Sequence, residues 1–352
     1  MALGLTALML VHHFGLWALT AARRGFPLVE VLDRWDSHLY TRIITEGYGD
    51  PALRAFLPLY PGTVGLLRGL LGGEVPPAVV GCVLSSLCLL AFAAWVSWRG
   101  TRQSMPSPLE PRTAWGWFFF LYSPASFALH SHHTEGLFVL LSLGALVFAW
   151  EGRVWQAALF AALCVWTRNQ GVFVVITAAL LVARTAGTGP GRVARFVAVS
   201  GVGLAAFGGL LFYQWRTVGD PLAQMHAQQN WHHVDSLWGA VRGLWFGNEW
   251  HEAGWWLALR DVFAAVWLAG ALGLIRQSRP LAFYGLLSLA VMLPQGDLGN
   301  AFRFGAVLFP VLFRVGDWFA ERPAWLRWPV ALLTLWLNHK VAHAFSIGAW
   351  AY

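Results

Sequence analysis

Five short polar clusters interrupt an otherwise apolar chain, and each holds residue types able to do chemistry. The first is Asp33-Arg34-Trp35-Asp36-Ser37-His38-Leu39-Tyr40, running on to Glu46-Gly47-Tyr48. Glu30, Asp33 and Asp36 recur every third residue, so a continuous helix would place the three carboxylates on neighbouring positions of one face. A carboxylate in low-dielectric surroundings beside an arginine is suited to act as a general base. The competing reading is a solvated amphipathic helix with Asp33 as its N-cap. The second cluster is Ser123-Pro124-Ala125-Ser126 followed by His130 to Gly136, a turn between two apolar runs. His130, His132, His133 and Glu135 invite a zinc reading, but they lack the i, i+4 spacing of a helical metal pair and no His-Glu-x-x-His is present. A structural turn or a substrate contact fits the spacing better.

Two further clusters each hold an arginine where apolar sequence surrounds it. In Thr167-Arg168-Asn169-Gln170-Gly171 the polar residues break one long apolar run. An arginine inserted there costs roughly 2.5–3.5 kcal/mol unless it finds a partner. A phosphate suits its planar fork, and snorkelling to the interface is the alternative. Arg303, in Asn300-Ala301-Phe302-Arg303-Phe304, poses the same choice between a bound anion and snorkelling. The fifth cluster spans 214–260 and mixes Asp220, Gln224, His226, Gln228, Gln229, Asn230, Trp231, His232 and His233. Amides alternating with aromatics suit hydroxyl-rich ligands such as sugars. No Walker loop, Gly-x-Ser-x-Gly or dinucleotide-binding glycine motif is present.

The elements that must position these clusters are membrane spans. The chain has 352 residues, of which 57% are hydrophobic and only 12% charged, with a mean hydropathy of +0.55. A soluble domain carries about 25% charged residues. Apolar runs approach the ~20 residues a bilayer crossing needs, and about eleven recur: 3–21, 76–98, 113–129, 134–150, 154–168, 171–185, 196–213, 261–275, 280–294, 304–318 and 328–346. The first is read as a retained span rather than a signal peptide, since it lacks a basic start. Segment 57–72 is apolar but short and contains Arg68, so it is read as a helix lying in the interface. Cys82, Cys88 and Cys164 fall inside apolar runs and are read as packing residues. The 22 tryptophans suit a chain with many headgroup-level positions.

The net charge of +7 comes almost wholly from arginine, with Lys340 the single lysine. The arginines sit in short loops, which is a topology pattern and excludes a nucleic-acid partner. Arg99, Arg102, Arg112, Arg153, Arg184, Arg192, Arg195, Arg276, Arg279, Arg314, Arg322 and Arg327 share one side when the N-terminus is cytoplasmic. Arg23 and Arg24 dissent. The opposite, external side then receives 22–75, the turn around 130–135, the Arg168 turn, 214–260 and 294–303. A site assembled there is expected of an enzyme. A transporter or lipid flippase is the alternative, and would carry charges along its spans and broken helices in matched halves.

In order and spacing these clusters resemble the PIG-V family of mannosyltransferases and their bacterial relatives. The resemblance is carried by Arg34-Trp35-Asp36-Ser37 with Glu46-Gly47-Tyr48, Phe56-Leu57-Pro58-Leu59-Tyr60-Pro61, Ser123-Pro124-Ala125-Ser126, Thr134-Glu135-Gly136-Leu137-Phe138, Thr167-Arg168-Asn169-Gln170-Gly171 and Gly219-Asp220-Pro221-Leu222. It extends from about residue 30 to 230, with Arg303 beyond. It implies one all-α, integral-membrane GT-C glycosyltransferase domain over 1–352, with interfacial helices and a catalytic acid in the first external loop. The implied activity is inverting transfer of mannose from a polyprenyl-phosphate donor to a glycolipid or glycan acceptor, among membrane lipids, with no metal or other cofactor. The catalytic acid maps to Asp36 and the donor-phosphate contacts to Arg168 and Arg303. Asp33, Trp35, His132, His133, Glu135, Asn169 and Gln170 are then expected to line the substrate pocket. His132-His133 and Asn169-Gln170 depart from the usual family residues, which bears on the acceptor. The short basic loops fit a bacterial inner membrane with the site facing outward; the eukaryotic equivalent is a lumenal site in the endoplasmic reticulum.

Overall fold

A computed structural model describes residues 1–102, 107–229, 259–290, 300–349 and 351. Among the described residues the chain is all-helical. Helix α1 (Ala2–Arg24) is followed by α2 (Leu28–Leu32), α3 (Asp36–Glu46) and α4 (Leu59–Leu70). Then come α5 (Pro77–Thr101), α6 (Ala114–Leu121), α7 (Glu135–Trp150), α8 (Val154–Val165), α9 (Gly171–Arg184) and α10 (Pro190–Val218). The chain continues through α11 (Ala223–Gln229), α12 (Leu259–Gly273), α13 (Arg279–Ala290), α14 (Ala301–Ala306), α15 (Phe309–Ala320) and α16 (Ala324–Ile347).

Glycine and proline punctuate the long helices. Gly25 ends α1 in the left-handed region at φ 69°, and the Phe26 N–H returns to the Ala21 carbonyl at 3.0 Å, which satisfies carbonyls the helix leaves open. Pro77 and Pro190 open α5 and α10, where a missing N–H costs nothing. Helices α1, α5 and α10 are long and apolar enough to cross a membrane independently. Helices α7, α8, α9 and the stretch Val262–Gly273 are apolar but shorter. They pack as a group: α7 lies against α5, α8 and α9, while α10 covers α8 and α9. On the other side α15 packs on α6 and α12, and α1 is held between α5 and α16. The protein is an integral membrane protein of polytopic, helical architecture, as its sequence leads one to expect.

Three expected elements are cut differently. The run 113–129 is not one helix: α6 stops at Leu121, and a 3-10 turn covers Ser126–Leu129. Pro124 lies between them and pushes the residue before it out of helical geometry. The run 304–318 is divided at Val307–Leu308 into α14 and α15, with Pro310 in the first turn of the second. The expected single helix through Glu30, Asp33 and Asp36 is also broken. Asp33 is the C-cap of α2, and Trp35 takes φ 55°, so the three carboxylates do not share a helical face. Segment 57–72 forms α4 over Leu59–Leu70. At about 1.5 Å per residue its 12 residues span about 18 Å, short of a crossing.

Candidate active site

Three short turns and two short helices carry polar residues to one place. Asp36 is the first residue of α3. It follows Trp35, whose φ of 55° is unusual for a side chain with a Cβ and costs about 1–2 kcal/mol. The Trp35 indole donates to the Ala349 carbonyl at 3.0 Å, 314 residues away. The chain's far end therefore pins the strained residue that aims Asp36. Behind Asp36, the Ser37 hydroxyl lies 3.3 Å from His133 Nδ1, and Ser131 Oγ lies 2.8 Å from the same nitrogen.

Glu135 opens α7 and is fully buried. The N-terminal end of a helix favours a carboxylate. Gly136, next in line, permits the approach: a Cβ there would collide with the Leu129 and Ser85 carbonyl oxygens. Arg168 lies in the turn between α8 and α9. Gly171 closes that turn against the Cys164 carbonyl, leaving no room for a Cβ. Arg303 belongs to α14 and is 7% exposed.

These four groups form one network. Arg303 uses Nη1 on Asp36 Oδ2 and Nε on Glu135 Oε1. Arg168 Nη1 bonds the same Glu135 oxygen and donates to Thr134 Oγ1 at 2.8 Å. Its Nε donates to Gln170 Oε1 at 3.3 Å. The guanidinium also lies 5.9 Å from the Phe138 ring and 5.6 Å from Phe304, a cation–π setting. Two carboxylates and two guanidiniums sum to zero charge, which lets the cluster be buried without an uncompensated ion. Among the described residues no group of three or more His, Cys, Asp or Glu side chains gathers as metal ligands would.

A cavity of about 390 Å³ opens onto this network. Trp35, Asp36, Arg168, Asn169, Gln170 and Arg303 are in its wall. Asp33, His132, His133 and Glu135 are not. Asp33 turns the other way, accepting from Thr41 Oγ1 at 2.5 Å and lying 3.1 Å from His38 Nδ1. His132 and His133 are fully buried behind the wall. His132 Nδ1 lies 3.0 Å from the Tyr60 hydroxyl, which reaches Ser85 Oγ at 3.2 Å; Ser85 Oγ in turn donates to the His133 carbonyl at 3.0 Å. Burial pushes the His132 imidazole down to about 4 and holds His133 well below its ordinary range, reinforced by the charge of Arg303. Both are neutral props that tie α3, α4 and α5 to the turn before α7. Gln224 and Gln228 of α11 also reach the wall, while 230–258, with Asn230, Trp231, His232 and His233, lies outside the described residues. Thr134, Thr167 and Phe304 in the wall and the Tyr60–His132 contact had no individual signal in the sequence. Thr134 was visible only as a neighbour of Glu135.

The family model described as Mannosyltransferase (PIG-V) matches residues 24–184. The resemblance to the PIG-V family holds over that stretch. A relative, GPI alpha-1,6-mannosyltransferase 2 of Cricetulus griseus, is 30% identical over 150 residues, which is 40% of this chain. The match covers 29% of that relative, so the chain aligns with under a third of its length. No solved structure matches. The PIG-V stretch contains Asp36, Glu135 and Arg168. Arg303, Gln224 and Gln228 lie beyond it and meet it in the cavity.

Proposed function

We propose that the protein is an inverting, metal-independent mannosyltransferase of glycolipid synthesis, taking mannose from a polyprenyl-phosphate donor. The acceptor is a lipid-linked or other glycan hydroxyl, and the site lies on the external face of the membrane. The observation that carries this reading is that Asp36, Arg303 and Arg168 share the cavity wall, with Asp36 ion-paired to Arg303 and the buried Glu135 behind them joining Arg303 to Arg168.

The chemistry follows from that arrangement. Arg303 and Arg168 receive the donor phosphate, whose oxygens match the guanidinium fork. Phosphate and Asp36 compete for Arg303, so donor arrival loosens the guanidinium from the carboxylate and leaves Asp36 to accept a proton. The acceptor oxygen attacks the anomeric carbon from the face opposite the phosphate. The bond from that carbon to the phosphate oxygen breaks, and the phosphate departs with the electron pair beside two fixed positive charges. Asp36 takes the acceptor proton. One displacement inverts the centre. The prenyl chain stays in the bilayer beside the apolar helices while its head enters the cavity.

The test is transfer of radiolabelled mannose from polyprenyl-phosphate mannose to a panel of glycolipids, with EDTA present, by wild type and Asp36→Asn. Wild type is expected to transfer, and Asp36→Asn to lose about 10²–10⁴-fold in rate while still binding donor. Wild type binding no polyprenyl-phosphate sugar would sink the reading. Equal transfer by both proteins would remove Asp36 as the base.

A further inference from the structure

Four side-chain amides from two separate elements meet in the cavity wall: Asn169 and Gln170 of the turn before α9, and Gln224 and Gln228 of α11. Gln224 Nε2 donates to Asn169 Oδ1 at 2.6 Å, locking the two elements together across 55 positions. That bond commits the Asn169 oxygen and one Gln224 amino hydrogen. Among the described residues nothing takes up the Asn169 amino group or the Gln224 side-chain oxygen, which are placed to meet a ligand. Gln228 Nε2 is anchored on the Ala55 carbonyl at 3.3 Å. Gln170 is the decisive residue. It is 1% exposed, its oxygen is held by Arg168 Nε, and its buried Nε2 has no hydrogen-bond partner among the described residues. A buried amino group without an acceptor is costly, and native proteins supply a partner.

We propose that this amide band is the subsite that reads the hydroxyls of the transferred sugar, so that Asn169, Gln170 and Gln224 set which polyprenyl-phosphate sugar is used. The assignment rests on the transferase reading above and deepens it. Gln170 is bonded to Arg168, a phosphate contact in that reading, and the group covalently next to the donor phosphate is the sugar ring. A phosphate needs donors only. The band offers the Gln170 and Asn169 amino groups together with the Gln224 oxygen, and a sugar hydroxyl both donates and accepts. Trp35, Tyr40, Phe56 and Phe304 complete the wall with aromatic side chains, a residue type that suits the C–H faces of a pyranose.

The experiment compares kcat/KM for polyprenyl-phosphate mannose and polyprenyl-phosphate glucose, epimers at C2, in full-length wild type and in Asn169→Ala, Gln170→Ala and Gln224→Ala. Binding of sugar-free polyprenyl phosphate is measured alongside. Loss of one such hydrogen bond is expected to narrow the mannose-over-glucose preference about fivefold to tenfold, with sugar-free polyprenyl phosphate bound as before. Gln224→Ala also removes the donor to Asn169 Oδ1, so its unchanged binding of sugar-free polyprenyl phosphate is the reading that separates lost recognition from misfolding. An unchanged preference in all three alanine variants, or an effect confined to the acceptor KM, overturns the subsite while leaving the transferase intact. Equal weakening of sugar-free polyprenyl phosphate by Gln170→Ala makes Gln170 a phosphate ligand and overturns its assignment. Wild type that binds neither donor overturns the transferase reading and the subsite with it.

Discussion

Helices α7 and α10 are both strongly apolar, yet they do opposite work. Leu143, Ala145, Leu146 and Val147 of α7 have no exposure, and neighbouring helices surround the whole element. In α10, Val199, Gly203 and Leu210 are the buried residues, and Leu204 and Phe212 stand exposed. Helix α7 is short, central and carries Glu135 at its tip. Helix α10 is long and presents most of its surface outward, where lipid is as apolar as leucine. Hydrophobicity alone does not separate a helix that holds a site from one that holds the protein in the membrane. Substitutions do.

The largest difference is expected at the tip of α7. Glu135→Ala leaves Arg168 and Arg303 facing one another with Asp36 as their one remaining carboxylate in the network. Removing one member of a buried ionic set typically costs about 3–5 kcal/mol. Detergent-solubilised Glu135→Ala should therefore lose its folded population in a thermal-shift assay, or retain it with transfer abolished. A variant as stable and active as wild type would show that the network is not what holds the arginines.

Next comes the body of the two helices. Leu143→Ala in α7 opens a cavity in a fully buried position, at about 2–5 kcal/mol. Leu204→Ala in α10 removes side chain from a position 71% exposed, and should change stability by under about 0.5 kcal/mol. Equal costs at the two sites would mean that α10 is covered by protein in the membrane.

Asp36, Arg168 and Arg303 were legible in the sequence because charge at the edge of an apolar run is expensive and therefore conspicuous. Their partnership was not. Glu135 joins arginines 33 and 168 positions away, and no local pattern encodes such a pairing. Asp33 misled for the opposite reason. Its three-residue spacing from Asp36 promises a shared face, but Trp35 leaves the helical region between them. The breaks at Pro124 and Pro310 were visible as residues, but a hydropathy window weighs side chains and is blind to a lost N–H. The amide wall was half visible: Gln224 and Gln228 stood out by type, while their meeting with Asn169 required the fold.

The turn that supports α7 gives the comparison a pH dependence. His132 titrates near 4 in the folded protein, against 6.5 ordinarily, because burial disfavours its charged form against a smaller opposing pull from Asp33. The unfolded chain therefore binds more protons between these values. Stability is full above about pH 6.5 and falls as the pH drops towards 4, by up to about 3 kcal/mol from this group. His133 adds in the same direction. Melting temperature followed from pH 7.5 to 4.5 should decline, and His132→Asn should flatten the slope. A pH-independent melt would contradict the buried, neutral imidazole.

The smallest effect lies within α10 itself, and its sign is the point. A Cβ on Gly203 would strike the Val175 side chain of α9, whereas nothing lies within 4 Å of one on Gly201. Gly203→Ala forces the two helices apart and should destabilise by about 1 kcal/mol or more. Gly201→Ala meets no neighbour and restricts the unfolded chain, so it should be neutral or stabilising by up to about 1 kcal/mol. Paired melts in one detergent are enough to read the difference. Two residues apart on one helix, the substitutions sample the face that packs and the face that meets lipid. If both destabilise alike, α10 has a second protein-covered face and its contrast with α7 disappears.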